Sequence, residues 1–150
     1  MKYYCLIIVS LIVDQVSKIL VRTNMAEGES IQIIGDFFQL HYIENRGAAF
    51  SMLQGQTALL IILPVIVSAF ALWYLEKKRK TAHFTLPLAV SLIVAGGIGN
   101  LIDRVLFASV TDMISFSIFP PIFNIADIAV CVGAGFLVLN VLFFDKEKSE

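Results

Sequence analysis

Two aspartates, Asp112 and Asp127, lie at either end of the apolar stretch MISFSIFPPIFNIA, residues 113–126. Two carboxylates that lie a few ångströms apart in poorly solvated surroundings cannot both ionise easily, so such a pair tends to hold one proton. One member can then act as a base on water while the other donates a proton to a carbonyl oxygen, which supports hydrolysis of an amide bond. The alternative is that Asn124 and Asp127 only cap a helix and that Asp112 is an unrelated loop residue.

No other set of residues offers competing chemistry. The serines and threonines have no nearby histidine base, and Cys5 and Cys131 each lie alone in an apolar run. The two histidines, His41 and His83, have no second ligand at metal-binding spacing. We therefore expect no metal site and no cofactor.

The composition predicts a membrane protein. Of 150 residues, 58% are hydrophobic and only 15% are charged, which is far more apolar surface than a soluble domain of this size can bury. The 11 basic and 12 acidic residues nearly balance, so nothing indicates a nucleic-acid-binding face. Nucleic acid is thus excluded as a partner.

Four apolar segments are long enough to cross a bilayer as helices, which takes about 20 residues. The segments are approximately 3–21, 57–75, 84–104 and 124–143. We predict an all-α membrane protein with four transmembrane helices in a single domain over residues 1–150. The connection 22–56 contains IQIIGDFFQLHYI, whose β-branched and aromatic residues predict a small sheet or hairpin, whereas 105–123 is expected to be a loop.

The distribution of Lys and Arg predicts the orientation of the chain. Seven basic residues fall at the N-terminus, in the connection after the second segment and in the tail, namely Lys2, Lys77, Lys78, Arg79, Lys80, Lys146 and Lys148. Both termini should therefore be cytoplasmic. The connections 22–56 and 105–123 should be extracytoplasmic, and together they should form a cradle at the outer leaflet.

Charged residues inside the first segment are costly in a bilayer and need an explanation. Asp14 and Lys18 lie four residues apart on one helical face, in the order that favours an ion pair. The pair either neutralises itself as a structural element or supports a polar pocket near the outer end.

The third segment carries a polar stripe. Gly96, Asn100 and Arg104 follow one another at four-residue steps, with Asp103 beside them. The stripe is either a small-residue packing seam with polar contacts and an arginine that extends to the interface, or the lining of a site.

Three other functions fit part of the pattern. A transporter or proton channel would use the polar residues as a path, but nearly all of them lie toward one side of the membrane. An assembly protein would use the AGGIG seam to bind a partner helix, which leaves Asp112 without a role. A membrane thiol oxidoreductase would need cysteines near one face, and Cys5 and Cys131 are not so placed.

Five motifs together give a specific resemblance. The chain contains DQVSK (14–18), ENRGAAFS (44–51), GGIGNLIDRV (96–105), VTDMISF (110–116) and FNIADIAV (123–130). In order and spacing they resemble the lipoprotein signal peptidases, or signal peptidase II, which are bacterial inner-membrane aspartyl endopeptidases. The resemblance covers essentially the whole chain.

The resemblance implies roles for individual residues. Asp112 and Asp127 would be the catalytic dyad. The residues implied to bind substrate or support the dyad are Asn45, Gly47, Asn100, Arg104 and Asn124. Asp14, Lys18 and Asp103 are expected to be structural polar residues.

The resemblance also implies a substrate and partners. The substrate would be a prolipoprotein whose lipobox cysteine carries a diacylglyceryl group, cut just before that cysteine, and globomycin-type inhibitors would bind between the aspartates. Membrane lipids are the other expected partners, and a monomer is expected. We also hypothesise that the loop 44–56 is mobile without substrate and ordered by it.

Overall fold

Four long helices form the protein. The computed structural model describes residues 1–47 and 56–144. The helices are α1 (Lys2–Asn24), α2 (Thr57–Lys78), α3 (Thr85–Phe107) and α4 (Ile125–Phe143), and each contains a stretch long and apolar enough to cross a membrane. The predicted four-helix membrane protein is therefore confirmed.

Helix α3 is the centre of the bundle. Within its most apolar stretch 56% of the residues are buried, against 22% or less in the other three helices, which leave most of their apolar side chains for lipid. Its residues Leu86, Val90 and Val94 pack with Ile7 of α1 and Leu75 of α2. The position of α3 explains why its polar stripe can contact several neighbours at once.

Glycines allow α3 and α4 to approach closely. A Cβ atom at Gly96 would collide with the backbone oxygen of Ala126 and the side chain of Val130. A Cβ atom at Gly133 would lie 2.8 Å from the backbone oxygen of Ala89. The small-residue seam, one of the two interpretations of the stripe, is thus present, and it brings the first turn of α4 against the middle of α3.

A four-stranded antiparallel sheet lies at one end of the bundle. Its strands, in spatial order, are β1 (Ser30–Ile34), β2 (Phe38–Asn45), β3 (Val110–Phe116) and β4 (Phe119–Phe123). The β1–β2 pair confirms the sheet predicted in the connection 22–56. In the register of β2 with β3, Ile43 faces Asp112 and Asn45 faces Val110.

The connection 105–123 was predicted to be a loop, and that prediction was wrong. It contains β3 and β4, so Asp112 lies on a strand rather than in a loop. Strand β4 contains Pro120 and Pro121, which have no backbone N–H to donate. They are tolerated because β4 is an edge strand, where a missing N–H breaks no hydrogen bond to a further strand.

Two local features connect β3 to the helices. Ala108, which ends α3, has a left-handed backbone (φ 58°) that turns the chain into β3. Met113 of β3 is buried against Val21 of α1 and Tyr42 of β2. Strand β3, which carries Asp112, is therefore held by its turn from α3 and by its packing against α1 and β2.

Candidate active site

Asn124 connects the two aspartates. Its side-chain Nδ2 donates to Asp112 Oδ1 at 2.6 Å, and its Oδ1 accepts from the backbone N–H of Asp127 at 3.0 Å. The Asp127 carboxylate in turn accepts from the backbone N–H of Asn124 at 3.1 Å, which completes a capping box at the start of α4. The cap expected from the sequence is real, but Asp112 is not an unrelated residue, because the capping asparagine contacts it directly.

Asp112 is held in a buried position on β3. Its side chain is almost wholly buried, and its Oδ2 accepts from Asn45 Nδ2 at 3.0 Å. Burial raises the pKa of Asp112 to about 6, and the negative charge of Asp127 also raises it, while the amide donors of Asn45 and Asn124 oppose the rise. This carboxyl group therefore holds a proton more readily than an ordinary aspartate.

Asp127 is half-buried in the first turn of α4, and a second asparagine holds it. Asn100 of α3 donates from Nδ2 to Asp127 Oδ1 at 2.8 Å. The Oδ1 atom of Asn100 accepts from Asn124 Nδ2 at 3.1 Å. Asn100 precedes Arg104 by four residues on the polar stripe of α3, and the structure brings it to the aspartates.

Arg104 and Gly47 meet beside the aspartates. Arg104 Nη2 donates to the backbone oxygen of Gly47 at 3.0 Å, and its Nη1 lies 3.4 Å from the backbone oxygen of Asn100. The N–H of Gly47 donates to Asn45 Oδ1 at 2.9 Å. Residues 48–55, which form most of the loop hypothesised to become ordered on binding, lie outside the described residues.

The three expected structural polar residues lie behind the aspartates. Lys18 Nζ is 2.9 Å from Asp14 Oδ2 and 3.2 Å from Asp103 Oδ2, and all three side chains are buried. The ion pair predicted from the spacing of Asp14 and Lys18 is present. Asp14 also accepts from the backbone N–H of Ala126 at 2.9 Å, which joins α1 to the start of α4.

A second polar network supports β3, and it was not predicted from the sequence. Arg22 pairs with Asp103 Oδ2 at 3.0 Å and donates from Nε to Thr111 Oγ1 at 2.7 Å. Thr111 donates to Glu44 Oε1 at 2.9 Å, and Ser109 donates to Glu44 Oε2 at 2.5 Å. The sequence held one signal, because Arg22 lies four residues after Lys18 and so extends the same helical face.

Tyr42 completes this network on β2. Its hydroxyl group donates to Glu44 Oε1 at 2.6 Å. Burial, together with this hydrogen bond, raises the pKa of Tyr42 to about 12, so the phenol stays protonated as a donor. The network thereby anchors the residues next to Asn45 and Asp112.

A cavity of about 690 Å³ opens in front of the aspartates. Its polar end is formed by Asn45, Asn100, Arg104, Asp112 and Asp127. Its remaining walls are mainly apolar and come from α2, α3, α4 and β4, with Pro64, Gly97, Phe119 and Cys131 among them. In the described part of the chain, no three His, Cys, Asp or Glu side chains are grouped to hold a metal ion.

Comparison with known proteins identifies the family. The family model described as "Signal peptidase (SPase) II" matches residues 6–143. The chain belongs to the signal peptidase II family. The resemblance found in the five motifs is thereby confirmed, and the protein is a membrane protease.

Curated relatives and solved structures agree with this result. The chain is 43% identical over 136 residues to the lipoprotein signal peptidase of Halothermothrix orenii, covering 91% of this chain and 92% of the relative. It is 44% identical over 147 residues to that of Clostridioides difficile, covering 97% and 98% of the two chains.

Two solved structures described as bacterial membrane enzymes share the fold. One superposes with a TM-score of 0.90 at 31% identity, covering 99% of this chain and 92% of that one. The other has a TM-score of 0.86 at 32% identity and covers 95% and 93%.

Proposed function

We propose that this protein removes the signal peptide from lipoprotein precursors with Asp112 and Asp127 as its catalytic dyad. The name of its curated relatives, lipoprotein signal peptidase, supports the general role. The observation that carries the mechanism is the pair of aspartates joined through Asn124 at the polar end of the cavity.

The two carboxylates divide the work because their surroundings differ. Asp112 is buried and has a raised pKa, so it is the member that holds the shared proton. Asp127 is more exposed and lines the cavity, so it is the ionised member that accepts a proton from water. With the single shared proton on Asp112, Asp127 is left to act as the base.

Hydrolysis then proceeds in two steps. The water oxygen attacks the scissile carbonyl carbon, the water proton passes to Asp127, and the proton of Asp112 passes to the carbonyl oxygen. In the second step Asp127 gives its proton to the leaving nitrogen, the C–N bond breaks, and one hydroxyl proton returns to Asp112. Protons balance over the cycle, and both aspartates regain their starting states.

The asparagines and Arg104 position the reacting groups. Asn45 and Asn124 hold Asp112, and Asn100 holds Asp127. Arg104, which lines the cavity, fixes the backbone at Gly47, and the extended lipobox would lie beside it. Asp14, Lys18 and Asp103, together with Arg22, balance one another's charges behind this layer and support it.

The shape of the cavity supports a lipid-modified substrate. Its apolar walls, which α2 and α4 place at membrane depth, suit the acyl chains of a diacylglyceryl cysteine. Cleavage just before that cysteine would place the scissile bond at the aspartates while the acyl chains stay in the outer leaflet. In this orientation both termini are cytoplasmic. Globomycin-type inhibitors would bind at the polar end of the cavity, between the aspartates.

A cleavage assay with two substrates tests this function. The purified protein in detergent is incubated with a diacylglyceryl-modified precursor and with the same precursor unmodified, and the products are analysed by mass spectrometry. We expect a new N-terminus at the modified cysteine and no product from the unmodified precursor. Cleavage at another bond, or equal cleavage of both precursors, would contradict the proposal.

A further inference from the structure

Lys18 uses all of its hydrogen-bond donors on three oxygens. Its Nζ atom lies 2.9 Å from Asp14 Oδ2, 3.2 Å from Asp103 Oδ2 and 2.9 Å from Asn100 Oδ1. The side chain has 0% exposure, so water does not compete for it. An ammonium group has three N–H donors and no acceptor, which means that only oxygen atoms can face it.

This contact determines which way the amide of Asn100 points. Since the oxygen must face Lys18, the NH₂ group must face the other side, where it lies 2.8 Å from Asp127 Oδ1. Asn124 Nδ2 also donates to the Asn100 oxygen, at 3.1 Å. If the amide turned over, its NH₂ group would face the ammonium group and its oxygen would face the carboxylate, and both contacts would be repulsive.

We propose that Lys18 is a positioning residue for catalysis, which fixes the Asn100 amide so that it always donates to Asp127 and keeps Asp127 the base. The proposal rests on the proposed function, because it assigns the ionised state to one member of the dyad. It gives Lys18 a role in the reaction beyond the neutralisation of buried carboxylates.

No other cation takes this role among the described residues. Near the dyad, Arg104 of α3 interacts electrostatically with Asp127, Asp112 and Asp103, and Lys18 of α1 interacts with Asp112. The recorded donor contacts of Arg104 are to the backbone oxygens of Gly47 and Asn100. Arg22 is paired with Asp103 and bonded to Thr111. The hydrogen-bonded link from Lys18 to Asp127 therefore runs through a single amide, that of Asn100.

The first test is the Lys18→Met variant, assayed for kcat and KM over a range of pH. Without the ammonium group the Asn100 amide can turn over, and Asp127 loses a donor to its ionised form. We expect kcat to fall about tenfold or more with KM nearly unchanged, since the cavity walls are not altered. The rising limb of the plot of kcat against pH should also shift to higher pH by about one unit.

A double-mutant cycle with Asn100→Ala shows whether Lys18 acts through Asn100. If it does, Lys18→Met should change kcat by no more than about twofold in the Asn100→Ala background. If Lys18 is only structural, the two losses should multiply and the rising limb should stay in place. Either of those results would overturn the proposal.

A charge-compensated variant keeps the test valid if Lys18→Met fails to fold, since that variant leaves two buried carboxylates short of a partner. Lys18→Met is then made in the Asp14→Asn background, where Asp103 retains Arg22, and is compared with wild type, which has the same balance of buried charges. The same shift of the rising limb is expected, and its absence would refute the proposal. Failure of the dyad itself is distinguishable, because Asp112→Asn or Asp127→Asn would then still cleave.

Discussion

Asn124 Nδ2 lies 2.6 Å from Asp112 Oδ1, so one side chain both caps α4 and donates to the candidate catalytic carboxyl group. The two tasks use different atoms, since the cap depends on the Asn124 oxygen and the contact with Asp112 depends on its nitrogen. Substitutions can therefore separate them.

Asn124→Ser should preserve the cap but remove the donor to Asp112. A serine hydroxyl caps a helix nearly as well as an asparagine, whereas Asn124→Ala should cost about 1 kcal/mol more of stability. We expect kcat to fall at least tenfold in both variants, because both lose the amide donor. Thermal unfolding and cleavage assays on the two variants check this, and wild-type activity in Asn124→Ser would mean that the cap alone matters.

The raised pKa of Asp112 predicts a pH dependence of stability. A carboxyl group whose pKa is about 6 when folded and 3.8 when unfolded makes the folded state bind more protons between these values. Its contribution to stability is therefore greatest at low pH and falls as pH rises from about 4 to about 6.

Asp112→Asn should abolish that part of the pH dependence. The unfolding temperature of the variant minus that of wild type should increase between about pH 4 and pH 6 and stay constant above about pH 7. Differential scanning fluorimetry in detergent measures both proteins under the same conditions. A difference that stays flat or decreases across this range would show that Asp112 is not a buried carboxyl group with a raised pKa.

The close contact of α3 and α4 predicts the effect of alanine at two glycines. Gly96→Ala would force apart the backbones that hold Asn100 and Asp127, whereas a Cβ atom at Gly135 meets nothing within 4 Å. We expect Gly96→Ala to lower both the unfolding temperature and kcat, and Gly135→Ala to change stability by no more than about 0.5 kcal/mol. Equal changes of unfolding temperature and kcat in the two variants would contradict the close packing of α3 and α4 at Gly96.

The apolar wall of the cavity predicts a specific effect of added bulk. Cys131 lines the cavity and Cys5, on α1, does not, although both side chains are exposed. Cys131→Phe should lower kcat/KM for the lipid-modified precursor several-fold by filling acyl-chain space, while the matched Cys5→Phe should leave it unchanged. Initial rates at low substrate concentration give kcat/KM for both variants. A similar loss of kcat/KM in Cys5→Phe would mean that the added bulk disturbs the helices and does not act by filling acyl-chain space.

Local patterns in the sequence predicted the features that depend on neighbours along the chain. The four apolar segments, the Asp14–Lys18 ion pair and the Asn124 cap follow from helix length, four-residue spacing and the preferences of helix termini. Each of these features is present in the structure.

Features that depend on distant contacts were not predictable in the same way. Strand β4 carries two prolines, and only its position at the edge of the sheet makes a strand compatible with them. The contact of Lys18 with Asn100 and that of Glu44 with Thr111 each join residues more than 60 positions apart. The sequence provides the residue types for such contacts, but the helix packing determines which of them meet.

The two-aspartate mechanism is tested by cleavage of a diacylglyceryl-modified precursor by wild type, Asp112→Asn and Asp127→Asn, each shown to be folded by its unfolding transition. Asp36→Asn is the matched control, since it makes the same change in an exposed turn of the sheet. We predict that both dyad variants lose at least about a thousandfold in kcat while the control retains wild-type activity. Near-wild-type cleavage by either dyad variant would contradict the two-aspartate mechanism.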